Sequence, residues 1–116
     1  MQVVFLVLNK VECLEELLVD LADAGVKGGT IIESTGMAKV LGDSEDLHVF
    51  GRLRMLFAPA RVASKTLFFV LEDEQVETVR AVINGVLGGL DQPNTGILFG
   101  MPVSFVEGMG HYSQHA

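Results

Sequence analysis

Three arginines and two lysines, Arg52, Arg54, Arg61, Lys39 and Lys65, fall within the thirty residues from Gly36 to Lys65. Guanidinium and ammonium groups at this density bind carboxylates or phosphates, and an arginine does so through a planar, bidentate fork. The rest of the chain is of opposite sign. With Asp43, Glu45 and Asp46 included the segment is +2, whereas the other 86 residues carry −9 and the whole 116-residue chain −7. Phe50 and Phe57 flank Arg52 and Arg54, which alternate with Leu53, Met55 and Leu56. Apolar anchors set among bidentate cations suit docking on a protein partner. A short hairpin folded onto its own domain would use the same residues, and the sequence leaves both readings open.

Other groups offer less. The cluster Gly25-Val-Lys-Gly28-Gly29-Thr30 lacks the Gly-Lys-Ser/Thr ending of a phosphate loop and precedes a strand where a phosphate-binding helix should begin, so it reads as turn chemistry. Gly36 lies at the mouth of the cationic segment, where a missing Cβ lets backbone amides approach a ligand; a turn glycine explains it equally. Gly88, Gly89 and Gly96 bracket Asp91-Gln92-Pro93-Asn94-Thr95 as a surface connection, or as a second rim if they face Gly36. His48, His111 and His115 do not have metal-ligand spacing. Ser34, Ser44, Ser64 and Ser104 show no nucleophile signature, and no catalytic constellation is legible. Cys13 is alone, fits a reducing compartment and reads as a small buried helix residue, with a reactive thiol as the other reading.

The acidic balance argues against nucleic-acid binding, which is driven by phosphate neutralisation. The apolar runs Val3–Leu8 and Ile97–Val106 are too short or too interrupted to span a bilayer, so the sequence predicts a cytoplasmic protein without membrane insertion. The length predicts a single domain over residues 1–116.

Positioning these groups falls to a repeated unit. Phe5-Leu-Val-Leu-Asn9 and Phe68-Phe-Val-Leu-Glu72 each begin an apolar strand, an acidic helix and a Gly-rich turn. The first helix is predicted from Asn9, with Glu12 at capping-box spacing and Leu14, Leu17, Leu18 and Leu21 on one face, ending at Gly25. Thr30–Thr35 has the β-branched content of a strand. In the second unit Thr66–Leu71 is a strand, Asp73 the expected cap, and Val76, Val79, Ile83, Val86 and Leu87 the helix stripe; Ile97–Val106 is the last strand. Two such units predict an α+β, ferredoxin-like βαββαβ sandwich. It has a four-stranded antiparallel sheet, two helices on one face, and a long loop over about 36–65 between strands two and three. Both central strands are apolar at every position, where a half-exposed strand would alternate. A second cover is therefore required: a homo-oligomer packed through its sheets is the simplest, and the long loop folded back over its own sheet, against which its charge argues, is the other.

Over nearly its whole length the chain resembles the PII signalling family. Gly25, Gly28, Thr30, Glu33 and Gly36 match that family's Gly-x-x-Gly-x-Thr-x-x-Glu-x-x-Gly run, and Thr95–Val103 resembles its last strand. The resemblance implies a non-enzymatic homotrimeric regulator that binds ATP or ADP between subunits and docks its long loop on a transporter or enzyme. It places Thr30, Gly36 and Lys39 on one side of the ligand and Gly89 and Gly96 on the other. Phe50, Arg52, Arg54, Phe57 and Arg61 would lie in the docking loop. The chain departs from the pattern at Ile97, where the family has a lysine, and at Glu107-Gly-Met-Gly-His111, where it has an arginine pair. Three missing phosphate-neutralising cations remove charge-assisted bonds of roughly 1.5–3 kcal/mol each, so the effector is left open between an adenine nucleotide and another small molecule. The alternative is a metal-ion-responsive trimer like the CutA group, using His48 or the tail histidines.

Overall fold

The computed structural model describes residues 1–43 and 63–108. Strand β1 (Gln2–Leu8) leads through a 3-10 turn (Val11–Cys13) into helix α1 (Leu14–Asp23) and strand β2 (Thr30–Ser34). A short helix α2 (Met37–Asp43) follows β2, and after residues outside the description come β3 (Ser64–Leu71), helix α3 (Asp73–Leu87) and β4 (Gly96–Pro102). The sheet order is β2-β3-β1-β4 with every neighbouring pair antiparallel. This is the α+β, ferredoxin-like arrangement.

Side chains alternate across each strand, so register assigns them to faces. Val4, Leu6 and Leu8 of β1 and Leu67, Phe69 and Leu71 of β3 are buried in one core with Leu17 and Leu21 of α1 and Val79, Ile83 and Leu87 of α3. The intervening residues Val3, Phe5, Val7, Phe68 and Val70 point to the opposite face, where Ile32, Ile97, Phe99 and Met101 join them. Register aligns Thr30, Phe68, Phe5 and Phe99 in one row across all four strands. Phe5 stacks on Phe99 with ring centroids 5.1 Å apart and meets Phe68 at 5.6 Å. Among the described residues no helix covers this row. Phe99 remains 43% exposed and Ile97 61%. The two-sided apolar character read from the strands is thus present, with one side buried under the helices and the other without a covering element among the described residues.

Several local expectations give way to tertiary contacts. The Asn9–Glu12 capping box does not form: the Asn9 and Lys10 amides both donate to the Thr95 carbonyl, at 3.1 and 3.2 Å, and α1 begins only at Leu14. α3 is capped by Glu72 rather than Asp73, the Glu72 amide donating to Gln75 Oε1 at 3.1 Å. Gly25 and Gly88 do end their helices, with φ of +95° and +74°. The connection expected over 36–65 is narrowed at both ends, by α2 and by β3 reaching back to Ser64. β4 stops at Pro102 instead of Val106, as expected of a residue without an amide to donate.

Candidate functional site

Thr30 opens β2 on the open face, at the end of the aromatic row. Gly36 follows β2, and its carbonyl accepts the Val40 amide at 3.2 Å, so it starts α2. A Cβ at Gly36 would meet nothing within 4 Å, so space does not require glycine there. Lys39 lies half-buried on α2. These three residues belong to the β2 end of the sheet and the start of the long connection.

The other two glycines lie elsewhere. Gly89 follows the α3 cap with φ +96°, its amide donating to the Asn84 carbonyl at 2.9 Å. Gly96 starts β4, where a Cβ would come within 2.7 Å of the Val7 carbonyl oxygen. Only glycine fits that approach. Buried Thr95 fixes the connection in place: its hydroxyl donates to the Gln92 carbonyl at 2.7 Å while its own carbonyl takes the Asn9 and Lys10 amides. The backbone of Lys10 is thereby held one residue from Gly96. Lys10 is thus a basic residue with its backbone fixed beside the β4 start, where Ile97 replaces the expected lysine; its sequence signal is its place two residues after the first strand.

One chain does not bring the two groups together. Gly96 pairs with Leu8, Leu8 with Lys65, and Lys65 with Glu33 of β2. Three strand spacings, about 14 Å, therefore separate the β4 start from β2. β2 and β4 are opposite edges of the sheet.

At the mouth of the long connection the structure reveals an arrangement the sequence reading missed. Thr66 Oγ1 donates to Ser34 Oγ at 2.9 Å, Ser64 Oγ donates to the Ser34 carbonyl at 3.1 Å, and the two serine hydroxyls lie 2.9 Å apart. Since Ser64 has already spent its only hydrogen, Ser34 is the donor in the serine pair. All three hydroxyl hydrogens are committed, and Ser64 is 4% exposed. The cluster is a clasp between β2 and β3. On the other side of the same strands Lys65 pairs with Glu33. The signal was the two serines at the ends of the loop, hidden because β3 was expected to begin at Thr66.

The expected partner-binding residues Phe50, Arg52, Arg54, Phe57 and Arg61, together with His48, His111 and His115, lie outside the described residues. Among the described residues no three His, Cys, Asp or Glu side chains are grouped to hold a metal, and no helix is long and apolar enough to cross a membrane. No protein-family model matches the chain, and no curated protein matches it either.

Proposed function

We propose that the chain is a non-enzymatic, PII-like regulatory subunit that assembles as a homotrimer through the open sheet face. In this reading a small effector binds in the cleft between subunits, where Thr30, Gly36 and Lys39 of one copy meet Gly89 and Gly96 of the next. Its binding biases the 36–65 segment, which engages a protein partner through Arg52, Arg54 and Arg61 with Phe50 and Phe57 as anchors.

The observation that supports this most directly is the uncovered aromatic row Phe68–Phe5–Phe99 in a ferredoxin-like frame. An apolar patch of this kind is characteristic of an interaction surface. The separation of the candidate ligand residues onto opposite ends of one chain agrees with a site completed by a neighbour. Ile97 and Glu107, where the resemblance calls for cations, favour an effector less charged than a nucleoside triphosphate; Lys10, whose backbone is held at Thr95, would supply one compensating charge.

Native mass spectrometry of the purified protein tests the reading in one spectrum. A trimer is expected, and a retained small-molecule mass would identify the effector class. A monomer at micromolar concentration would overturn it.

A further inference from the structure

A second feature lies on the helix side of the sheet, away from the aromatic row. Leu18 and Leu21 of α1, Val26, Ile31 of β2 and Phe69 of β3 wall an open hollow of about 120 Å³. It has room for one aliphatic side chain, on the scale at which an apolar cavity of about 150 Å³ takes a benzene ring. Lys27, Gly28 and Gly29 form its rim. Their three consecutive amides donate no hydrogen bond among the described residues, and Lys27 makes no ion pair there. Gly29 cannot carry a side chain, because a Cβ would come within 2.5 Å of the Phe69 ring; its backbone is therefore bare at the rim. Alongside runs β2, an edge strand hydrogen-bonded only to β3, with its outer edge unpaired among the described residues.

We propose that this edge receives the C-terminal end of another polypeptide. The incoming segment adds to β2 as an antiparallel strand, places its last, aliphatic side chain in the hollow and sets its α-carboxylate against Lys27 and the Gly28 and Gly29 amides. Strand direction selects this polarity. β2 runs from Thr30 to Ser34, so an antiparallel partner finishes beside Thr30, where the rim lies. A parallel partner would instead bring its N-terminal ammonium to Lys27, like charge against like. An internal segment would leave the cation and the row of donors without the two acceptor oxygens that a terminal carboxylate provides. Main-chain pairing along an edge, a pocket for one side chain and carboxylate capture by successive amides are each recognised modes of peptide binding, and here they converge at one end of one strand. The site does not depend on assembly through the open face, which is the other side of the sheet.

The test is affinity selection on the full-length protein from a library of seven-residue peptides with free C-termini, read by mass spectrometry. Enrichment of terminal Val, Leu or Ile is expected, as is loss of enrichment when the same library is C-terminally amidated. For a selected peptide, Lys27→Ala should weaken binding about tenfold, as expected for loss of one charge-assisted contact. Ala22→Leu, at an exposed helix position that also borders the hollow, should fill it and abolish selection while circular dichroism stays unchanged. No enrichment of aliphatic termini, equal recovery of the amidated library, or undiminished selection by the folded Ala22→Leu protein would overturn the proposal.

Discussion

Replacing Phe99 by lysine tests the assembly where the structure is most explicit. Phe99 stacks on Phe5 and keeps 43% of its surface exposed on an edge strand. On a ring side chain of roughly 200 Å² that is about 85 Å², so covering it yields about 2 kcal/mol per copy at about 25 cal/mol per Å². Three copies sharing the interface would draw about 6 kcal/mol from this position, before any cost of burying an ammonium group is added. Within an isolated subunit the same change removes mainly one aromatic contact, about 0.5–1.5 kcal/mol, so the fold should persist. Native mass spectrometry and light scattering at micromolar concentration should show a trimer for the unaltered protein, a folded monomer for Phe99→Lys and a retained trimer for Phe99→Leu. An unchanged mass for Phe99→Lys would refute assembly through this face.

Gly29→Ala should cost about 1–3 kcal/mol in urea unfolding, because its Cβ would stand 2.5 Å from the buried Phe69 ring and 3.3 Å from the Phe68 carbonyl oxygen. Adding Phe69→Leu should return part of that loss, and additive costs would show that the two do not touch. Ser64→Ala takes away both the donor to the Ser34 carbonyl and the acceptor for the Ser34 hydroxyl, for an expected loss of about 1–2 kcal/mol by the same measurement. Changing Arg52, Arg54 and Arg61 together to alanine should leave the oligomer mass intact and end partner capture in a pull-down; undiminished capture would remove the docking role from the segment. Copper or zinc titration should find no stoichiometric site, whereas a stoichiometric site lost on His48→Ala would transfer the chain to the metal-responsive reading.

The parts of the fold that were legible are those fixed by patterns spanning whole elements. Two strand-helix-strand units and continuously apolar central strands predicted the sheet, the helix layer and the uncovered second face, since alternation in a strand depends on backbone geometry alone. The parts that were not legible depend on contacts between distant residues. Asn9 and Glu12 had capping-box spacing, yet the Thr95 carbonyl claims the Asn9 amide from the far end of the chain. Ser64 looked like a loop residue because the partner that makes it strand, Ser34, lies thirty residues earlier. α2 carries Gly42 and β-branched Val40 in seven residues, too short and too weak in propensity to stand out from a connection.

The candidate ligand residues show a different kind of limit. Thr30, Gly36 and Gly96 were readable as conspicuous residues, but whether they share a site is decided by strand order, which sets β2 and β4 at opposite edges. Proximity along the repeat therefore carries no information about proximity at a ligand. If the two groups do act on one molecule, packing through the open face must bring the β2 end of one copy toward the β4 start of another. Contact between these unlike groups is heterologous, and a heterologous contact repeated from copy to copy either closes as a ring or runs on as an open filament. A twofold pair meeting edge to edge would join like with like and leave both halves of the site apart. The subunit count thus bears directly on the chemistry: a ring of three is compatible with the effector site proposed here, and an edge-to-edge dimer is not.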